Sequence, residues 1–373
     1  MNQESITRDA TSFGDLPAEV HGMIASLLDP YDLSLCVLVS KSWRAIFHRY
    51  LWRHVAIRVE DSEDFDLQLV NLLNANREHI HSLRLSADYG DVLHSFMELL
   101  SPSSYPRPVF PILDSAEIEA GGFDESTDET MAQFLELTGA KWKRLVLKET
   151  EKSEYGLDFG SESMEVLARH TEFLEVFRWM SDTGSTDGLV EQLLCSAPKL
   201  KELSVVGHYN STGGYLDARK IVDMEWVCLG LEVFECRIRR IPRPDITRNI
   251  GDSPADEYVV EGTLEESLDL QRQVYTKLAM LTKLQVLKLG LVIDFYNTSE
   301  YELGDKTYRR QFDCLAMTLD SGLDLLKGLK ELRLVGLEDM EVYIGEKEQS
   351  WFKEHWPNAK IELGEDFHDE YLE

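Results

Sequence analysis

Residues 16–52 read LPAEVHGMIASLLDPYDLSLCVLVSKSWRAIFHRYLW, and three short helical patterns lie in them, joined by tight turns. Asp15-Leu16-Pro17 announces the first helix, because proline suits the first helical turn, where its missing N–H costs nothing. Val20, Ile24, Leu27 and Leu28 then fall on one apolar stripe. Asp29-Pro30 is expected to end that helix, since the residue before a proline is pushed out of the α region. Asp32 is expected to cap a second helix carrying Leu33, Cys36, Val37 and Val39. Ser40 should cap a third, with Trp43, Ile46 and Phe47 on one side, and Leu51-Trp52 follows as a second large anchor. The stretch carries more apolar surface than so small a unit can bury alone. It therefore reads either as a docking module, whose exposed large apolar residues would be its anchors, or as a helical cap on the rest of the chain.

The ordered set Leu16-Pro17, Glu19-Val20, Ile24, Leu27-Leu28, Leu33, Cys36, Val39, Lys41, Trp43 and Leu51-Trp52 resembles an F-box. Members of that family use a three-helix unit to bind the Skp-family adaptor of SCF-type cullin–RING ubiquitin ligases. The resemblance implies that Leu16, Pro17, Val20, Ile24, Leu28, Leu33, Val39, Trp43, Leu51 and Trp52 form the adaptor-facing surface and its support.

The chain has 373 residues and a net charge of −30. Residues 1–60 hold six Lys/Arg against seven Asp/Glu, so nearly all the excess acid lies beyond them. A surface of that sign disfavours nucleic acid, whose phosphates must be neutralised. The bland reading of the charge is a solvated surface; the sharper one is attraction of basic partners. Five cysteines without CxxC spacing read as free, mostly buried thiols in a reducing compartment, which points to the cytoplasm or nucleus. MNQESITRDATSFGD has no apolar core and is not a signal peptide, and no run of eighteen apolar residues suggests a membrane span. Asn210-Ser211-Thr212 and Asn297-Thr298-Ser299 match the glycosylation pattern but mean little in a chain that is not secreted.

Beyond residue 57 a short pattern recurs: an apolar residue, two others, an apolar, one other, an apolar. It appears as Ile80/Leu83/Leu85, Leu113/Ala116/Ile118, Trp142/Leu145/Leu147 and Leu174/Phe177/Trp179. It continues as Leu200/Leu203/Val205, Leu231/Phe234/Cys236, Leu284/Leu287/Leu289 and Leu329/Leu332/Leu334, with a weaker copy at Ile361/Leu363. The central residues are 33, 29, 32, 26, 31, 53 and 45 apart. The last two positions alternate as a half-buried strand does. Helical stripes lie between copies, at Met131/Phe134/Leu135/Leu137, Met164/Val166/Leu167 and Leu189/Leu193/Leu194. One strand plus one helix every thirty residues or so is the plan of leucine-rich repeats, here without the usual asparagine after the strand. The fold class expected is α/β: a small three-helix F-box, then an irregular leucine-rich-repeat-like strand–helix solenoid, resembling fungal F-box/leucine-rich-repeat proteins. A doubly wound α/β domain is the alternative. Leu278-Ala279-Met280 and Leu315-Ala316-Met317 read as echoing helices. Expected boundaries are a disordered N-terminus (1–12), the F-box (13–57), the repeat domain (58–363) and an acidic tail (364–373). Residues 241–268 and 294–307 read as loops.

In such a solenoid the residue between the last two apolar positions is expected to point to the concave face. These are Arg84, Glu117, Val146, Arg178, Ser204, Glu235, Lys288 and Arg333, a relatively basic set, next to Arg237, Arg239, Arg240 and Arg243 in CRIRRIPR. Arg84, Arg178, Arg237, Arg239, Arg240, Lys288 and Arg333 are the candidate substrate contacts, suited to an acidic or phosphorylated segment. Pairing with nearby glutamates is the competing reading.

Catalytic signatures are weak. There is no GxxxxGK[ST] loop and no HExxH. His79 and His81 are expected on one strand face without a third ligand, so no metal is expected. Asp182-Thr183-Gly184-Ser185 imitates an aspartic-protease signature, with Asp320-Ser321-Gly322 as a possible mate. The first is explained by a turn, and the second is expected inside a helix spanning Cys314–Leu326. The expectation is a non-enzymatic chain without catalytic residues, metal or cofactor. It would act as a substrate-recognition adaptor, joining the Skp-family adaptor and cullin–RING scaffold to an unknown protein substrate. The alternative is an interaction module that binds the adaptor and delivers no client.

Overall fold

The computed structural model describes residues 13–59, 67–100, 109–121, 128–149, 159–181, 188–207, 214–246, 260–290, 311–338 and 340–363, with backbone only at 67, 87–91 and 120–121. The expected disordered N-terminus, the segment 294–307, the acidic tail, Asp182–Ser185 and both glycosylation-like triplets lie outside them.

Three helices open the chain: α1 (Ala18–Ala25), α2 (Pro30–Val39) and α3 (Lys41–Leu51). Strands and helices then alternate. They are β1 (His54–Val59), α4 (Leu67–Asn76), β2 (Ser82–Asp91), α5 (Val92–Leu100), β3 (Ser115–Gly121), α6 (Asp128–Leu135), β4 (Arg144–Glu149) and α7 (Ser161–Ala168). Next come β5 (Val176–Ser181), α8 (Leu189–Ser196), β6 (Glu202–Gly207), β7 (Tyr215–Asp217), α9 (Ala218–Asp223), β8 (Val233–Arg239) and α10 (Leu264–Leu278). The series ends with β9 (Val286–Gly290), β10 (Leu334–Leu337), α11 (Glu346–His355) and β11 (Lys360–Glu362).

Among the described residues the strands form one parallel sheet in chain order, with only β7 set aside as a short partner of the far end of β8. A doubly wound sheet reverses its strand order at a switch point; this one does not. The mixed α/β architecture is therefore that of a strand–helix solenoid.

The apolar triplets build the core. Leu83, Ala116, Leu145, Phe177, Leu203, Phe234 and Leu287 stand in register across neighbouring strands, and all are buried. Two corrections concern the ends of the array. The last full triplet is Leu332/Val335/Leu337, because Val335 pairs with Leu287; Leu329/Leu332/Leu334 begins three residues too early. An additional first copy, Trp52/Val55/Ile57, is supplied by β1, since Val55 pairs with Leu83 and Ile57 with Leu85. The final strand does contain Ile361, paired with Val335.

Each helix-to-strand connection is tied by main-chain bonds to the one before it. The N–H of Lys143 donates to the Asp114 carbonyl, Glu175 to Lys143, Lys201 to Glu175 and Glu232 to Lys201. Along this row the signs alternate, and Lys143 reaches Asp114 at 2.7 Å and Lys201 reaches Glu175 at 2.6 Å. Neighbouring helices are tied as well. Asp128 accepts the N–H groups of Gly160, Glu162 and Ser163 at the start of α7. That N-terminus thus has its cap supplied by the preceding repeat. A Cβ on Gly160 would sit 2.6 Å from the Asp128 carboxylate, so glycine is needed for the approach.

Three further expectations are corrected. Residues 264–268 are helical rather than loop, because Thr263 and Glu266 cap each other's backbone at the start of α10. Cys314–Leu326 is not an α-helix: it is irregular chain leading into a 3-10 helix at Leu323–Gly328, and Met317 (φ 54°) and Gly322 (φ 106°) sit in the left-handed region, which breaks the helical path. Asp320 is therefore in an exposed turn, and the Leu315-Ala316-Met317 echo of α10 is not helical.

Candidate protein-docking surface

The three-helix unit closes around Ala25, Leu33 and Phe47, with Phe13, Ile24, Leu28, Cys36, Val37, Trp43, Ile46, Tyr50 and Leu51 packed on them. The Phe13 ring stacks on Trp43 at 4.8 Å and on Phe47 at 5.7 Å. Ser40 caps α3 as expected, accepting from the Trp43 N–H at 3.2 Å. The cap of α2 is Asp29 rather than Asp32, with Pro30 as first helical residue and the Asp32 N–H donating to the Asp29 carboxylate at 2.7 Å. The first helix ends early, at Ala25, and Leu27 falls in the turn that follows.

That early end decides which side chains are left outside. Leu27 is 86% exposed, not part of the inward stripe, and Met23, in the last turn of α1, is 69% exposed. On α2, Tyr31, Leu35 and Leu38 lie at i, i+4 and i+7, and all are exposed, as is Val39. Leu33, Cys36 and Val37 of the same helix face inward. A helix apolar on both sides must bury both, and only one side has a partner within the chain. Fully burying each such side chain is worth roughly 1.5–3 kcal/mol, so six left in water are a reserve for association.

Of the residues marked from the sequence, Pro17 and Val39 are exposed. Leu16, Val20, Ile24, Leu28, Trp43, Leu51 and Trp52 are half-buried, and Leu33 is buried. Most of them support the surface, and Leu33 belongs wholly to the interior. The sequence reading passed over Met23, Leu27 as an outward residue, Tyr31, Leu35 and Leu38. For Tyr31, Leu35 and Leu38 the signal was present in the two apolar faces of α2.

On the sheet, Arg84, Glu117, Val146, Arg178, Ser204, Glu235 and Lys288 form one cross-strand row. Arg333 does not join it. It precedes β10, and Gly336 takes the place beside Lys288. The row is internally paired: Arg84 meets Glu117 at 3.5 Å and Glu119 at 3.3 Å, Arg178 bonds Glu202, and Lys288 lies 3.8 Å from Glu235. The Glu202 carboxylate raises the Arg178 pKa, and the bond from Lys148 lowers that of Glu119.

The CRIRRIPR arginines are placed elsewhere. Arg237, Arg239 and Arg243 are buried, not on an open face. Arg239 bonds Asp313 at 3.3 Å and lies over the Tyr215 ring. Arg243 bonds Asp245 and the carbonyls of Cys314 and Glu341, each of the latter at 3.2 Å. They staple the end of β8 to the segment 311–317 and to residue 341. Arg240 alone of that cluster reaches outward, in a left-handed conformation (φ 65°), with its N–H held by Asp313 and its side chain near Asp217. His79 and His81 lie in the turn before β2 rather than on a strand. Among the described residues no group of three His, Cys, Asp or Glu side chains is placed to hold a metal ion, and no helix is long and apolar enough to cross a membrane.

The F-box-like family model matches residues 13–58. Those residues form an F-box-like domain. Its last strand residues, from His54, already belong to the sheet, so the domain and the solenoid share β1. No curated protein matches the chain.

Proposed function

We propose that the chain is a non-enzymatic substrate-recognition adaptor of an SCF-type cullin–RING ubiquitin ligase, of the F-box/leucine-rich-repeat kind. The observation that carries this reading is the strip Met23, Leu27, Tyr31, Leu35, Leu38 and Val39, left outside an F-box-like domain whose own core is complete. A Skp-family adaptor supplies the apolar surface that covers the strip and brings the cullin–RING scaffold with it. The solenoid holds the protein client, and ubiquitin transfer gains from proximity, both ends being held on one scaffold.

Client contact follows from the paired charges of the strand face. Arg84, Arg178 and Lys288 each already face a carboxylate, so an acidic segment must exchange for Glu117, Glu202 or Glu235 rather than fill an empty clamp. Such exchange yields specificity more than affinity.

Co-expression with a Skp-family adaptor and size-exclusion chromatography test the docking. Wild type should co-elute, and Leu27→Glu/Leu38→Glu should elute alone with its fold intact, a loss above tenfold in affinity. A folded wild type that elutes alone sinks the reading.

A further inference from the structure

An open cleft of about 500 Å³ lies where the F-box-like domain meets the sheet. Arg49 lines it from α3 and Arg53 from the bend that follows that helix, and His79 and His81 line it from the connection ahead of β2. Arg49 is held in place by donating to the Tyr50 hydroxyl at 2.7 Å and lying 4.7 Å over that ring, which leaves its other N–H groups for a ligand.

Elsewhere in the sheet the basic side chains have carboxylate partners, as Lys143, Lys148, Arg178 and Lys201 do. Among the described residues neither Arg49 nor Arg53 forms an ion pair, although Glu19 and Glu78 line the same cleft. The neighbouring imidazoles are held toward their neutral form. After burial, Arg53 is the next cause holding His54 and His81 below the usual histidine range, and His79 does the same to His48. The cleft thus sets two arginines against two glutamates, a local balance of sign in a chain of net charge −30.

We propose that the cleft binds a phosphate-class oxyanion, gripped by Arg49 and Arg53 from the helical side and by His79 and His81 from the sheet side. Guanidinium forks suit a multiply charged tetrahedral anion, and imidazole rings on the opposite wall add neutral hydrogen-bond donors. The anion is either free in solution or carried on a phosphorylated peptide, and its binding braces the F-box-like domain against the first repeats.

Calorimetric titration of the full chain decides this, with inorganic pyrophosphate, a phosphoserine peptide and the same peptide unphosphorylated. Saturable binding of pyrophosphate identifies a free-anion site, and binding of the phosphopeptide alone identifies a peptide-borne phosphate. Either should weaken at least tenfold in Arg49→Gln/Arg53→Gln and stay unchanged in Lys148→Gln, which removes a paired lysine outside the cleft. No saturable binding of either phosphate probe overturns the proposal. So does binding that survives in the double variant, or that falls equally in Lys148→Gln, since that marks diffuse attraction.

Discussion

The F-box-like domain and the sheet treat large apolar side chains in opposite ways. The sheet hides them: Trp142, Trp179, Phe134, Phe177 and Phe234 are all fully buried, in one continuous core. The helical domain fully encloses only Ala25, Leu33 and Phe47, and six of the fifteen exposed large apolar residues in the described chain lie between Met23 and Val39. Both regions draw on the same residue types. The difference lies in geometry. Each strand of the sheet finds a neighbour inside the chain, whereas α2 has two apolar faces and one internal partner. Apolar content alone therefore does not separate a core from a docking face; the number of faces per helix does.

Substitution at matched positions tests that contrast most sharply. Trp142→Ala should lose roughly 3–5 kcal/mol in urea unfolding, because it opens a cavity and strands the Leu135 carbonyl that its Nε1–H bonds at 2.9 Å. Leu27→Ala should stay within about 0.5 kcal/mol of wild type. Equal losses at the two sites would erase the distinction.

Charged groups divide along the same line of burial. Asp313→Ala removes the carboxylate of a buried Arg239 and should cost about 3 kcal/mol, read as a lowered urea midpoint. Next in size is a pH effect. Burial, then the nearby Lys141 and Arg169 charges, pushes His170 down to about 4, and its Nδ1 accepts the Trp142 N–H. The unfolded chain, with an ordinary histidine near 6.5, binds the extra proton between these values, so this contribution is full above about pH 6.5 and is lost as pH falls toward 4. Urea midpoints at pH 7.5 and pH 5 should differ less in His170→Asn than in wild type; an undiminished difference removes His170 as the cause. Smallest of all is Arg178→Ala, on the half-exposed strand face, where the loss should be under about 1 kcal/mol despite its close bond to Glu202.

The sequence exposed the sheet through a spacing of three and two, which is the signature of a turn entering a strand, and it did so at Leu83, Leu145 and Phe177 without ambiguity. It misled at LKGLKELRLVGL (326–337), where the same spacing fits both Leu329/Leu332/Leu334 and Leu332/Val335/Leu337, and only pairing with β9 chooses. It hid the first copy, Trp52/Val55/Ile57, inside residues that already matched a helical domain. The docking strip was obscured for another reason: a helical stripe predicts a face, but where α1 stops determines whether Leu27 continues that face or leaves it. The arginine cluster was unreadable because burial of Arg239 and Arg243 depends on Asp313, Cys314 and Glu341, some seventy or more residues away.

The alternating row Asp114, Lys143, Glu175, Lys201, Glu232 gives the array a parity. Removing the single repeat that carries Lys143 would set Asp114 against Glu175, like charge directly beside like, whereas removing two consecutive repeats would restore opposite neighbours. Gene duplication and deletion in this stretch should therefore be tolerated in even steps, and homologues that differ in length here should differ by pairs of repeats.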